Sequence, residues 1–410
     1  MSAETTARLF DAVPQEIVDE IIEHLHDDPH TLACCALVCI SWTAASQRAL
    51  FRVCELDIAA EDFQDKWSWL VDGPNAEAVR GYVRDLIIKP AEDDLDALPV
   101  VRLDNIAKIT DAFPALRALT LEKVKVPGSH DLYAVRRSLE RLTLSKVWVF
   151  ATAHSFFEAV LRMYDIRELH ISTICFSDAP SPEDTRTTPD NISGVETLVV
   201  RSAAFTGCIV DFFSQAPLRK LDVAYSTEVD IKALSSLLTG REISLEDMSV
   251  GLAKSIARMQ FRPDEDVFPA MLRQCESLGT LTLRVTLGKP WDAGMRSLRA
   301  LAQMVSGVSA DLRALTIVVA VDNSANFETA FSHAFEAGLK DHLTGLDGIF
   351  IAKPELRTIR WLWSGARSRD GSIGEVIAAL HKRLTRLVRA QFPTLHKKGI
   401  LCFGEDNATK

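Results

Sequence analysis

A short apolar pattern, L-x-x-L-x-L with other aliphatics standing in for leucine, recurs along most of this chain and limits the folds open to it. It reads "VRDLIIK" from Val83, "LRALTLEKV" from Leu116, "LERLTLSKV" from Leu139, "IRELHISTI" from Ile166, "VETLVVRSA" from Val195 and "LRKLDVAYS" from Leu218. A weaker copy, "REISLED", begins at Arg241, and "LGTLTLRVTL", "LRALTIVVA" and "LRTIRWLW" follow from Leu278, Leu312 and Leu356. The last two apolar positions of a copy flank a single residue, the period of a strand with one buried face. Helical spacing fills the gaps. "ATAHSFFEAVLRMY" sets Phe156, Phe157, Val160, Leu161 and Tyr164 on one face, and "VDIKALSSLLTG" ends in Gly240, a C-terminal cap. "MRSLRALAQMVSGV", "FETAFSHAFEAGLKDHL" and "GEVIAALHKRLTRLVRAQ" read the same way. Strand, turn, helix, turn, repeated, predicts parallel strands joined by right-handed crossovers. Each unit then buries its apolar face only against its neighbours, as in a curved solenoid. The other arrangement open to this pattern is a doubly wound α/β domain, although no Gly-rich phosphate turn follows any strand.

The middle apolar residue of each copy sets the period. Leu119 to Leu142 is 23 residues, Leu142 to Leu169 is 27, Leu169 to Leu198 is 29 and Leu198 to Leu221 is 23, while Leu281 to Leu315 is 34 and Leu315 to Ile359 is 44. The shorter periods lie in the range of leucine-rich repeats, and the longer ones require enlarged helices or insertions. The region resembles an irregular leucine-rich-repeat array, loose in that the usual Asn or Cys after the strand is mostly missing. "GILCFG", near the C-terminus, is expected to add one last strand to the open edge.

Val13 to Trp42, "VPQEIVDEIIEHLHDDPHTLACCALVCISW", has a different texture. Pro14 suits a first helical turn, where its missing N–H costs nothing. Gln15, Glu16, Asp19 and Glu20 follow, with the acids near the positive end of the helix. Ile17, Val18, Ile21, Ile22 and Leu25 recur at helical spacing as a broad apolar stripe. "HDDPH" breaks this helix, and Asp28-Pro29 starts the next. Thr31 to Val38 is a second apolar segment, and Ser41 to Phe51 a third, carrying Trp42, Ala45, Ala49 and Leu50. Three short helices in about forty residues sit at the lower limit for an independent fold, so the module must lean on the rest of the chain or on another protein.

These residues resemble an F-box over about residues 11–55: the Val13-Pro14 opening, Glu16-Ile17, a second isoleucine at Ile21, Leu25 closing the helix, then Leu32, Leu37 and the run Val38-Cys39-x-x-Trp42. Two positions depart from the family pattern. Val13 replaces the commoner Leu, and Ile40 stands where Arg or Lys is frequent. The resemblance implies that the segment binds the adaptor subunit of an SCF-type ubiquitin ligase and, through it, a cullin scaffold. Pro14, Ile17, Ile21, Leu25, Leu32, Leu37, Val38 and Trp42 would lie at or beneath that interface. The plainer reading is that the same residues are the core of an ordinary helical bundle. The expected fold class is thus α/β: a tail at 1–12, a three-helix F-box at 13–55, a linker with a packing helix at 56–82, and a leucine-rich-repeat-like solenoid of parallel strands and outer helices at 83–410. The expected role is a substrate-recognition subunit that catalyses nothing itself and binds an unknown protein target. A scaffold that acts without ubiquitylation and an enzyme on a doubly wound fold are the alternatives.

In such an array, strand alternation sends the residues flanking the buried positions to the open face of the sheet. They are Glu122, Arg141, Ser145, Glu168, His170, Arg201, Lys220, Asp222, Glu242, Glu246, Arg284 and Arg360. Their mixed charge suits a protein target, for which Glu122, Arg141, His170, Arg201, Asp222, Arg284 and Arg360 are the binding candidates. Trp291, Trp361 and Trp363 would join them if exposed, because aromatics and Arg dominate binding hot spots.

The totals exclude several classes. Against 46 Lys and Arg stand 56 Asp and Glu, a net charge of −10, which argues against nucleic acid and anionic membrane as main partners. The opening "MSAETTARLFDAV" lacks a basic start before an apolar run, so no secretory signal is expected, and no run of about 18 apolar residues predicts a membrane span. Eight cysteines without a CxxC read as reduced core residues of an intracellular protein, cytoplasmic or nuclear. His24, His26, His30 and Cys34 straddle the Asp-Pro break without an HExxH, so they read as polar and turn positions, not metal ligands. "AEDDLDAL" has no calcium-loop pattern, and "HKRLTRLVR" reads as the solvated face of a helix. GxSxG, P-loop and GxGxxG motifs are all missing, so no catalytic set, metal or cofactor is expected. "SDAPSPEDTRTTPDNIS", at 177–193, reads as a polar surface loop.

Overall fold

A computed structural model of the chain describes residues 13–60, 63–73, 76–90, 98–128, 136–177, 192–201, 206–225, 228–239, 244–252, 272–287, 305, 307–308, 311–321, 340–341, 343–344, 346–365 and 371–405. The chain divides into two compact units, Met1–Ser181 and Pro182–Lys410. The predicted helices over 295–308 and 327–343, the loop over 177–193, Glu242 and Trp291 lie wholly or mostly outside the described residues.

The first unit opens with the three helices the sequence predicts: α1 (Gln15–Glu23), α2 (Pro29–Cys35) and α3 (Ile40–Leu50). Asp28 breaks the chain between α1 and α2 by capping α2. Its carboxylate accepts from Thr31 N at 3.0 Å and Thr31 Oγ1 at 2.6 Å, with Pro29 in the first turn. Val18, Ile22, Leu32, Cys35 and Ala45 form a small core, and Val13, Leu25, Trp42, Ala49 and Leu50 pack against it.

Next come β1 (Val53–Asp57), α4 (Phe63–Asp72), α5 (Ala76–Tyr82), β2 (Asp85–Lys89), α6 (Leu103–Asp111), β3 (Ala118–Glu122), β4 (Lys125–Pro127), β5 (Arg137–Phe150), α7 (Ala153–Met163) and β6 (Tyr164–Phe176). Strands β1-β2-β3-β5-β6 pair in that order, all parallel, with β4 also on β5. The sheet therefore begins at Val53, ahead of the first L-x-x-L-x-L copy, because "VCELD" pairs with β2 without carrying the motif. Leu86↔Leu119↔Leu142↔Leu169 and Ile88↔Leu121↔Leu144↔Ile171 make two buried rows. Beyond them, Lys123 (φ 53°), Lys146 (φ 53°) and Thr173 (φ 60°) adopt left-handed backbone conformations. They follow the paired residues Glu122↔Ser145↔Ser172, so one bend is stacked through three adjacent strands.

The second unit contains β7 (Thr197–Arg201), α8 (Thr206–Phe212), β8 (Lys220–Tyr225), α9 (Glu228–Thr239), β9 (Asp247–Leu252), β10 (Thr280–Leu287), β11 (Ala314–Val321), α10 (Leu346–Ile351), β12 (Thr358–Gly365), α11 (Gly371–Gln391), α12 (Pro393–Lys397) and β13 (Leu401–Glu405). Its strands pair in chain order and in parallel from β7 to β13. Leu198↔Leu221↔Met248↔Leu281↔Leu315↔Ile359↔Leu401 is one buried row and Val200↔Val223↔Val250↔Leu283↔Ile317↔Trp361 the next. The weak copy at Arg241 is out of frame. The strand starts at Asp247, and its apolar trio is Leu245, Met248 and Val250.

The chain is α/β with parallel strands. A doubly wound sheet reverses its strand order at a switch point. Neither unit does so, and chain-order pairing is the topology of an α/β solenoid. Trp361 and Trp363 are correspondingly core residues and not exposed hot spots, because their register turns them inward. Trp361 packs on Phe392 with ring centroids 6.2 Å apart, and Trp363 donates through Nε1 to Thr385 Oγ1 at 3.1 Å while stacking on His381. All eight cysteines are free, but only Cys35 and Cys275 are buried, and Cys34 and Cys402 are exposed.

Candidate functional site

Helix α1 buries only part of its apolar stripe. Val18 and Ile22, four residues apart, are buried in the helical core; Ile17 and Ile21, also four apart, stay 45% and 40% exposed. The turn after α2 exposes further apolar side chains. Thr43 Oγ1 donates to Ala36 O at 2.7 Å and to Cys39 O at 3.0 Å, which pins the turn between α2 and α3. That turn leaves Leu37 87% exposed and Val38 half exposed, and Ile40 at the start of α3 is 91% exposed. Gln15 Nε2 donates to Ser41 O at 3.2 Å, tying the first turn of α1 to the start of α3. Ile17, Ile21, Leu37, Val38 and Ile40 are five of the ten large apolar side chains exposed among the described residues, so the outward apolar surface is concentrated here.

Of the eight adaptor-binding candidates, Pro14, Ile17, Ile21, Leu37 and Val38 are exposed, Leu25 and Trp42 are half-buried against the core, and Leu32 lies inside it. Ile40 is the residue that sequence reasoning passed over, having treated it only as a departure from a family pattern. Its place as the first residue of α3, just after the turn, was the available signal. An apolar surface of this kind has no reason to face water, since covering it stabilises by about 25 cal/mol per Å².

No protein-family model and no curated protein matches the chain.

Elsewhere on the helical module, a groove of about 220 Å³ is lined by Asp19, Glu23, His26, Arg48, Arg52 and Arg84, with Ile22, Ala45 and Ala49. Asp19 pairs with Arg48 at 3.8 Å, and Arg52 with Asp85 beside the groove at 3.9 Å. His26 keeps its Nδ1 on Glu23 O at 2.9 Å and its Nε2 near Asp27. Among the described residues no group of His, Cys, Asp and Glu is arranged to hold a metal ion, and no helix is long and apolar enough to cross a membrane.

The target-binding candidates fall on the open sheet faces, as alternation requires. In the first unit they form local pairs, partly exposed at Arg141, Glu168 and His170 and more covered at Glu122 and Lys123. Arg141 Nε meets Glu168 Oε2 at 3.0 Å, His170 Nε2 stands 3.8 Å from the same oxygen, and Glu122 faces Lys123 at 3.7 Å. Pairs this exposed contribute little to stability.

In the second unit three candidates meet at one point. Asp222, its side chain only 8% exposed, takes Arg201 Nη2 on Oδ2 at 2.5 Å and Arg284 Nη1 on Oδ1 at 2.8 Å. Arg201 Nε adds a bond to Oδ2 at 3.2 Å, and Arg284 Nη1 also donates to Ser249 Oγ. Arg284 reaches Asp222 across β9, where Gly251 lies between Ala224 and Arg284 in the register and offers no side chain in the way. Burial pushes the Asp222 carboxyl up, but bonding from Arg201, the charges of both guanidiniums and the Ser249 hydroxyl outweigh it and hold the group below the usual carboxylate range. Arg360 lies on the same row, by the steps Asp222↔Ser249↔Thr282↔Thr316↔Arg360, and is exposed, with no ion pair to a described residue. Lys220 faces Asp247 at 3.4 Å.

Proposed function

We propose that this chain is the substrate-recognition subunit of an SCF-type ubiquitin ligase. In this reading α1–α3 is an F-box that docks the adaptor through Pro14, Ile17, Ile21, Leu37, Val38 and Ile40, with Leu25, Leu32 and Trp42 supporting them from beneath. The open sheet faces hold the target protein. The chain itself performs no chemistry: it holds the target near a ubiquitin-charged enzyme carried by the cullin, and so acts through effective concentration and orientation. Such a subunit works in the cytoplasm or nucleus.

The observation that carries the reading is the division of α1. A helix serving only its own core would bury its whole apolar stripe; here Val18 and Ile22 fill the core while Ile17 and Ile21, on the flank of the same stripe, remain outside it. Fully burying an aliphatic side chain is worth about 1.5–3 kcal/mol, so several together can exceed the ordering cost of association.

Co-purification of the intact chain and of Ile21→Asp with the adaptor tests this. Capture by the intact chain and its loss in the variant, with the melting temperature unchanged, is the expected result. Equal capture by both, or by neither, overturns it. Ubiquitin transfer to a bound protein in the reconstituted ligase then separates a ligase subunit from a scaffold that only occupies the adaptor.

A further inference from the structure

Residues 381–400, "HKRLTRLVRAQFPTLHKKGI", carry six Lys and Arg and no Asp or Glu, in a chain whose net charge is −10. The rest of the chain, with 40 Lys and Arg against 56 Asp and Glu, therefore has a net charge of −16. The segment folds as the last turns of α11, the short α12 and the turn into β13. Leu384 and Val388 are buried, and Thr385 and His381 hold Trp363 of β12 by a hydrogen bond of 3.1 Å and by ring stacking. The apolar side of α11 is thus fixed against the sheet. At 3.6 residues per turn, Lys382, Arg386 and Arg389 fall within about 60° of one another on the opposite side, along about 10 Å of helix. All three are exposed, as are Lys397 and Lys398 where α12 ends. None of these five cations meets an acid among the described residues. The Arg389 guanidinium lies over the Phe403 ring, 5.3 Å from its centroid, which steadies its planar fork. Asp347, which does reach α12, is engaged with Leu395 N at 3.4 Å.

We infer that this basic stripe docks the phosphate backbone of a duplex nucleic acid, without reading its sequence. The inference does not rest on the proposed function. Exposed ion pairs with single acidic side chains contribute little, so a patch of bare cations gains little from an acidic peptide. It gains far more from a ligand whose condensed counterions it releases, and a duplex has one charge about every 1.7 Å along its axis. The forks of Arg386 and Arg389 match phosphate oxygens in planar, paired bonds. The negative charge of the rest of the chain is no bar. The Debye length at physiological salt is about 8 Å, so the stripe is governed by its own charges. An anionic membrane fits less well, because α11 turns its apolar side into the protein and no large apolar side chain is exposed among the described residues of 371–405. A single strand also fits less well, because its bases need exposed aromatics to stack on. Trp361, Trp363 and Phe392 are buried, and Phe403 lies beneath Arg389.

The test uses the full chain, without adaptor, and the fluorescence anisotropy of a short labelled duplex of mixed sequence, made once as DNA and once as RNA. One duplex or both should bind at low salt, and the tighter of the two identifies the source of the backbone. The logarithm of the affinity should fall against the logarithm of the salt concentration with a slope of about −4, the release expected for five phosphate contacts. Lys382→Gln combined with Arg386→Gln should reduce that slope by about 2 and weaken binding about tenfold per side chain near 0.1 M salt. Both side chains are exposed, so this variant should melt with the wild type. Lys397→Gln combined with Lys398→Gln removes the other end of the stripe and should act in the same direction. Arg162→Gln takes an exposed cation from α7, in the first unit, and should bind as the wild type does. Failure of both duplexes to bind at low salt overturns the inference. So does an equal loss in Arg162→Gln, which would mean diffuse attraction. Tighter binding of phosphatidylserine vesicles, of a polyglutamate peptide or of a single strand also overturns it.

Discussion

Around α1 the outward side chains are Ile17, Ile21, Leu37, Val38 and Ile40, which lie outside the helical core. On the sheet of the second unit the outward groups are ionised and already hold one another through Asp222. The contrast shows two ways in which the chain presents side chains to solvent. The helical module leaves apolar area uncovered, which costs nothing in fold stability and gives affinity to whatever excludes water from it. The sheet holds its outward charges in an internal ion cluster, which adds to stability.

The sharpest way to break this comparison is to charge the two faces of α1 in turn. Ile22→Asp places a carboxylate in the helical core and should cost about 3–5 kcal/mol in denaturant unfolding followed by helical circular dichroism. Ile21→Asp, on the outward face, should stay within about 0.5 kcal/mol of wild type. Similar losses for both would make the outward face a second core. Next in size is removal of the anchor. Asp222→Ala leaves two arginines facing each other and should cost about 1.5–3 kcal/mol, whereas Glu168→Ala, in the exposed trio of the first unit, should cost under about 1 kcal/mol.

Acid sharpens the same point. The folded Asp222 carboxyl lies below its ordinary value, so its contribution is complete above the unfolded carboxylate range and lost as pH falls through the folded one. The stability gap between wild type and Asp222→Asn should hold steady at neutral pH and close below about pH 4. A gap that persisted in acid would mean that the cluster is held by packing. The smallest effect belongs to the stacked bend. Lys146 is exposed and left-handed, a conformation glycine adopts without steric cost, so Lys146→Gly should raise stability by up to about 1 kcal/mol.

The strands with a full L-x-x-L-x-L copy were legible because each copy carries its own register: Leu119, Leu142 and Leu169 are spaced unevenly in the chain and yet fall side by side. β1 was not, since "VCELD" gains its place only by pairing with β2. The frame of β9 slipped because Met248 stands where its neighbours have leucine. Trp361 and Trp363 were hot-spot candidates only if exposed, and the same alternation that exposes Arg360 between Ile359 and Trp361 turns both of them inward. In α1, Ile17, Val18, Ile21 and Ile22 read as one stripe, and only the arrival of α2 and α3 decides which pair is covered. Candidate charges on the sheet were legible one by one, but not the contact that joins Arg284 to a carboxylate 62 residues earlier across an intervening strand.

Strand order in the second unit has a mechanical consequence. Among the described residues β13 shares its ladder only with β12, and β12 in turn lies between β13 and β11. A pull on the C-terminal end therefore meets one strand at a time, β13 before β12 and β12 before β11, each release paying out a further length of chain. Under load this half of the molecule behaves as a tether that lengthens in stages.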